Sequence, residues 1–183
     1  NAAYVAAQYN YLGKIGISLF GNTYFGRFYG SYQLKTKFDF PSKLPFYIET
    51  SFTRNRWDYF RSSTAFFEES KPSYLVQNEN CFDINAGLPA KNKAKIIIGG
   101  NAANLFDRYY QTKTFAQADT TDRTDFLLLT PYIYFERNTL NRKQFANSGT
   151  YLALKFRYVF GNEITNPGTT STQQLFETAY HEW

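Results

Sequence analysis

Few residues in this 183-residue chain have the types and spacing that catalysis needs. Cys81 is the only cysteine and His181 the only histidine. One cysteine cannot form an internal disulfide, and one histidine cannot assemble a metal centre from the usual ligands. Both are read as structural or incidental, with Cys81 inside a strand-like segment and His181 in a disordered-looking tail. The stretch GISLF holds a glycine and a serine but lacks the second glycine of a nucleophile elbow. No His-Glu-x-x-His, Cys-x-x-Cys or P-loop pattern occurs. The glycines of GISLFGNTYFG sit in strand-like sequence with no helix after them, which suits a curved wall better than a phosphate cradle. Glu68 and Glu69 pair two carboxylates in a long polar segment, where a solvated acidic tip explains them. No catalytic residue, metal ligand or cofactor site is assigned.

The charged residues that carry more information alternate with apolar ones. Lys35, Lys37, Asp39, Glu49, Glu79, Asp83, Lys155 and Arg157 all fall on the polar face of strand-like segments. In a barrel that face is the lumen, where charges of both signs pair across the wall, bind water or meet a plug. Interior pairs that stiffen the wall are the simpler expectation than a selectivity filter.

The elements that position these residues follow from a period of two. In FYGSYQLKTKFDF, Phe28, Tyr32, Leu34, Thr36, Phe38 and Phe40 share one face, and Lys35, Lys37 and Asp39 share the other. PSKLP stops that strand, because proline cannot donate to a ladder. FYIETSFTRN, SYLVQNENCFDINAGL, AKIIIGGNAANLF and TYLALKFRYVF repeat the alternation, and AAYVAAQYNYL and GKIGISLFGN form a hairpin around Gly13. DFLLLTPYIYFER is less regular, since Leu127 and Leu129 interrupt strict alternation. About eight strands result, of roughly 9–13 residues, the length of tilted membrane strands. Short turns follow Phe40 and Leu88, and long aromatic and charged loops follow Asn55, Phe106 and Phe160. Short turns on one rim and long loops on the other match an outer-membrane barrel. Trp57, Tyr59, Phe60, Tyr109 and Tyr110 cluster where strands enter long loops, as an interfacial girdle does.

Composition agrees. Aromatic residues make up 20% of the chain, yet mean hydropathy is −0.48. That combination suits strands that are greasy on one face only. The longest apolar runs, within Lys95–Gly99 and Phe126–Leu129, are far below the roughly 18 residues of a membrane helix. The net charge of +5 is scattered rather than clustered, which argues against nucleic acid and fits equally a solvated surface with no charged partner or contact with anionic lipid or lipopolysaccharide head groups. The chain has no methionine and opens on a strand-like segment, so it is expected to be the interior of a longer protein. Residues 1–183 are read as one domain, incomplete at both ends.

The segment YFERNTLNRKQFANSGTYLALKFRYV narrows the reading. It resembles the hallmark hairpin of the Omp85 superfamily of bacterial surface antigens: a strand, a polar Asn-rich turn, an aromatic residue, a glycine and a second strand. Asn138, Thr139, Leu140, Asn141, Phe145, Ser148 and Gly149 occupy the matching positions. Ala146 stands where the family often has proline, and the family's Arg-Gly-Phe-type loop motif is absent. FDFPSKLPFYIE, WDYF, FFEESKPSYL and DRYYQTKTF extend the resemblance to the C-terminal barrel of patatin-like phospholipases of the Bacteroidetes. The resemblance implies an antiparallel transmembrane β-barrel of about sixteen strands in the bacterial outer membrane. It also implies an upstream patatin domain, whose motifs are not among these residues. The expected function is to anchor that lipase, with its export as a further role, the chain itself being no enzyme. The alternatives are a porin-like transport barrel, an Omp85 insertase, or a soluble barrel that binds an apolar ligand. Open sheet edges are not tolerated in lipid, so either the terminal strands pair or further strands complete the wall. FETAYHEW gives a closing strand a poor apolar face, with Glu177, Ala179, His181 and Trp183 on one side.

Overall fold

The computed structural model describes residues 2–58, 74–112, 116, 118–142, 144–172 and 175–182. All regular structure among them is β, in one antiparallel sheet. The strands are β1 (Ala2–Leu12), β2 (Gly16–Gly26), β3 (Tyr29–Phe40), β4 (Phe46–Asp58), β5 (Tyr74–Ala90), β6 (Ala94–Tyr109), β7 (Asp122–Asn138), β8 (Tyr151–Arg157), β9 (Val159–Asn166) and β10 (Phe176–Glu182). Each pairs with its neighbour in sequence, except that β7 pairs with β8 at one end and β9 at the other.

β8 and β9 are one strand interrupted by chemistry. Tyr132 pairs with Arg157 and Leu129 with Phe160, so the register is unchanged across the gap. Between them Tyr158 N–H donates to the Pro131 carbonyl at 3.1 Å. Pro131 has no N–H to return the bond, and the ladder lapses there.

The expected eight strands are therefore ten segments, for physical reasons. Gly161–Asn166, read as loop, continues the β7 ladder, with Asn162 opposite Leu127 and Ile164 opposite Asp125. Phe176–Glu182 then returns along β9 as β10, which places His181 in a strand opposite Phe160 rather than in a free tail. The strands β5, β6 and β7 run to 16 or 17 residues, past the ends that alternation marked. The extensions of β6 and β7, Asp107 to Tyr109 and Asp122 to Thr124, carry polar residues on both faces, which hid them from the alternation.

The sheet is not closed into a barrel: β1 forms one edge, β10 together with β8 the other, and among the described residues the two edges do not pair. The connections 13–15, 41–45 and 91–93 and the described residues of 139–150 lie at one rim; 27–28 and the described residues of 110–121 and 167–175 lie at the other. At the tight turn after β5, Asn92 and Lys93 take left-handed conformations, and Ala94 N–H donates to the Lys91 carbonyl at 3.3 Å.

Register assigns every side chain to a face. One row reads Ala7, Gly21, Leu34, Phe52, Phe82, Ala102, Leu129, Phe160 across the sheet. Towards the short-turn rim the same face carries Phe38, Ile48, Ala86, Ile98, Ile133 and Phe156, then Phe40, Phe46, Leu88, Ile96, Phe135 and Leu154. The opposite face, one residue away, reads Ala6, Asn22, Gln33, Thr53, Cys81, Ala103, Leu128, Gly161.

Exposure of the two faces is inverted relative to a soluble sheet. Leu34, Phe82 and Leu129 are 55%, 46% and 53% exposed, whereas Gln33, Thr53, Cys81 and Leu128 are half-buried and Ala103 is buried. A flat single layer would expose both faces alike. The sheet must curl towards its polar side, crowding those side chains and splaying the apolar ones. Among the described residues the buried set is small: Ala94, Ala103 and Tyr110, with Asn85, Asp122 and Thr165 and the glycines Gly87 and Gly161.

Candidate functional site

The concave face gathers the polar chemistry. Lys35, Lys37, Asp39, Glu49, Glu79, Asp83, Lys155 and Arg157 all project from it, at positions of a single parity on β3, β4, β5 and β8. Lys37 lies opposite Glu49 across the β3–β4 ladder, and its ammonium reaches Asp39 on its own strand at 2.8 Å. Lys35, Lys155 and Arg157 stay exposed, while the carboxylates of the group are half-buried.

A tyrosine and glycine arrangement organises the centre. Tyr132 lies across Gly99 on β6, where an added Cβ would meet its Cζ and Oη at 2.7 Å and Asn85 Cβ at 2.7 Å. Tyr47 covers Gly87 on β5 in the same way, its Oη 2.6 Å from the position of a Cβ. Rings laid over glycines restore packing that the glycines lack and fix cross-strand register. The Tyr132 hydroxyl is 3.2 Å from both carboxylate oxygens of Asp83, to which Asn85 Nδ2 also donates at 3.1 Å. The Lys155 ammonium sits 4.8 Å from the Tyr132 ring centroid and the Lys37 ammonium 4.7 Å from that of Tyr47. Further along, Asn55 accepts from Tyr29 and Ser31 and donates to Glu79, and the Cys81 thiol donates to Glu79 at 3.3 Å. Lys95 meets Glu136 at 3.1 Å, and Tyr134 donates to the same carboxylate at 2.7 Å.

This network cross-braces neighbouring strands and presents charges of both signs to one side of the sheet. Its one thiol, Cys81, meets the Glu79 carboxylate, and no group of three metal-ligating side chains is found among the described residues.

The 139–150 connection folds on itself. Thr139 N–H donates to the Thr150 carbonyl at 2.9 Å, Thr150 N–H to Thr139 Oγ1 at 2.8 Å, and Asn141 N–H to the Ser148 carbonyl at 3.1 Å. Asn138 Oδ1 accepts from Leu140 N–H at 3.1 Å, and Asn141 Nδ2 donates to Asn147 Oδ1 at 2.6 Å. Gly149 has φ +101°, and a Cβ there would approach Thr139 C to 2.7 Å and Leu140 Cα to 2.8 Å. Phe145 is at the tip, 94% exposed with φ +53°.

The described aromatics do not form an outward girdle. Trp57, near the end of β4, and Tyr109, at the end of β6, both have the parity of the polar face, the Trp57 ring lying 4.2 Å from that of Tyr29 and the Tyr109 hydroxyl 3.2 Å from Thr124 Oγ1. Tyr110 turns into the connection that follows and is buried, donating to the Asp119 carbonyl at 3.0 Å, so it does not face outward as a girdle residue. Tyr59, Phe60, Glu68 and Glu69 lie outside the described residues.

Sequence reasoning missed the tyrosine and glycine pairs. Tyr47, Gly87, Gly99 and Tyr132 are unremarkable in order along the chain, and only the ladder register sets each ring over its glycine. Comparison with protein-family models, with curated proteins and with solved structures finds no match.

Proposed function

We propose that these residues form part of the wall of an outer-membrane β-barrel, with the apolar face against lipid and the polar face lining a hydrated interior. The observation that carries this reading is the inverted exposure: the greasy rows point outward from the curl and the polar network is sheltered within it. Soluble monomers rarely display a contiguous apolar face of this extent. Among the described residues no second layer covers it, since all the strands belong to one sheet. In lipid the edges β1 and β10 need partners, which further strands of the wall would supply.

In this reading the barrel's role is to anchor, and help export, a patatin-like lipase domain carried elsewhere in the protein. Support for that part comes from the resemblance of the Asn138–Gly149 turn and the segments around it to that family's barrel.

Spin labelling tests the wall. Native Cys81 and Gln33→Cys should collide with a water-soluble nickel chelate, whereas Leu34→Cys, Phe82→Cys and Leu129→Cys in a Cys81→Ser background should collide with oxygen dissolved in lipid. Equal accessibility on both faces, or a protein that stays in the supernatant without detergent, would sink the proposal. The reading frame around these residues tests the anchoring role: a Gly-x-Ser-x-Gly elbow supports it, and tandem POTRA domains replace it with an insertase.

A further inference from the structure

The geometry points to a binding site for the phosphate groups of a lipid on the outward face of β4–β7, above the apolar band at the long-loop rim. This rests on the barrel reading. Beyond Phe52, Phe82, Ala102 and Leu129, the outward positions change character abruptly. They become Arg54, Arg56 and Asp58 on β4, Asn80, Asn78 and Val76 on β5, Asn104, Phe106 and Arg108 on β6, and, past Leu127, Asp125 and Arg123 on β7. A cavity of about 400 Å³ lies among Arg54, Arg56, Val76, Asn78, Asn80, Phe106 and Arg108.

Among the described residues four guanidiniums share this face with two carboxylates, Asp58 and Asp125, which Arg56 and Arg123 reach at 3.3 and 2.9 Å. Arg54 and Arg108 make no ion pair with any described residue. Arg108 and Arg123 are direct cross-strand partners, an arrangement that is destabilising for like charges. Both stack towards one ring, with the guanidinium carbons 5.3 and 4.6 Å from the Phe106 centroid. An anion seated between them removes the repulsion, and guanidinium forks match phosphate oxygens. Asparagine amides between the arginines add donors without adding charge.

Position selects the class of anion. The cluster continues the face that carries Leu34, Phe82 and Leu129, so a ligand held here has its apolar part beside exposed apolar side chains. A free phosphate would use only the arginines; a phosphorylated lipid uses both. The opposite rim is also basic, but Lys43 and Lys91 lie in turns and Arg137 stands alone on the outward wall, so no such cluster forms there.

The test uses the full-length protein in phosphatidylcholine nanodiscs, titrated with bis-phosphorylated lipid A or its dephosphorylated form, with bound lipid counted by native mass spectrometry. The phosphorylated form should bind more tightly, and Arg54→Gln with Arg108→Gln should weaken it about tenfold, as loss of one strong charge-assisted contact does. Lys43→Gln with Lys91→Gln removes the same charge from the other rim and should change nothing. Equal binding of the two lipid forms, an unaffected arginine variant, or an equal loss in the lysine variant overturns the site. Displacement by inorganic phosphate at the lipid's own concentration overturns the lipid assignment. Heat-modifiable mobility of the same samples separates these outcomes from failure of the barrel reading, which would appear as a protein that never enters the nanodisc.

Discussion

Replacing Gly149 by alanine adds one methyl group to an exposed turn, yet it should be among the costlier single changes in the chain. The φ of +101° lies beyond the left-handed basin that L-residues tolerate, so the backbone must relax or carry strain of about 1–3 kcal/mol. Relaxation is blocked as well, because the new Cβ would sit 2.7 Å from Thr139 C and 2.8 Å from Leu140 Cα, both backbone atoms. Moving Gly149 away opens the adjoining bonds from Thr139 N–H to the Thr150 carbonyl and from Thr150 N–H to Thr139 Oγ1. Each is worth about 0.5–1.5 kcal/mol, at the low end here because the turn is solvated. The sum is a loss of about 2–4 kcal/mol. Urea unfolding in phospholipid vesicles measures it as a shift of the midpoint at constant slope. Phe145→Gly is the control: it relieves a positive φ of 53° and removes a side chain that packs on nothing, at the entropic cost of glycine. It should stay within about 0.5 kcal/mol of wild type. A Gly149→Ala protein as stable as wild type would refute the argument, as would a Phe145→Gly loss of similar size.

Other perturbations probe the two faces. Leu129→Lys places a charge on the apolar face and should cost about 2–4 kcal/mol in a bilayer, whereas a soluble sheet would accept it at its 53% exposed position. Asp83→Ala leaves the Tyr132 hydroxyl and the Asn85 amide without their shared acceptor and should cost about 1–3 kcal/mol in the same unfolding assay, with Tyr132→Phe costing less. Gly99→Val must displace the Tyr132 ring or Asn85 and should impair assembly, seen as loss of the heat-modifiable folded band, while Gly100→Ala, with only the Thr130 carbonyl at 4.0 Å, should assemble normally.

The faces were legible because strand periodicity is unforgiving. A side chain's parity along a strand decides its side, so Lys35, Lys37 and Asp39 could be placed opposite Leu34 and Phe38 without coordinates. Strand ends were less legible where outward positions turn polar. Arg56, Arg108 and Arg123 read as parts of the loops after Asn55 and Phe106, yet they continue the ladder because backbone bonds do not depend on side-chain polarity. The same reason hid Gly161–Asn166 and β10, whose alternate positions Glu177, Ala179 and His181 carry no apolar signal. Tyr110 looked like an interfacial aromatic from its neighbours alone; its burial depends on Asp119, nine residues on, and on how the connection closes. Register-dependent features such as Tyr132 over Gly99 required knowing which residues meet across strands, and turn lengths had to be settled first.

The direction of curl is the physical link between these local facts and the proposed setting. Fully burying a large apolar side chain is worth about 1.5–3 kcal/mol. Leu34, Phe52, Phe82, Leu129 and Phe160 form one row on the exposed side, each retaining more than a third of its surface accessible. In water that single row would forgo several kcal/mol, on the order of a domain's whole net stability. Curling the other way would shelter the row, but would spread Asp83, Asn85, Tyr132 and Lys37 apart and open the contacts that brace the ladders. Lipid removes the conflict, because the outward row is then already in an apolar medium, and a hydrated interior serves the charges. Curvature and polarity agree only if the two faces meet different solvents, and the Leu129→Lys measurement asks the molecule which solvents those are.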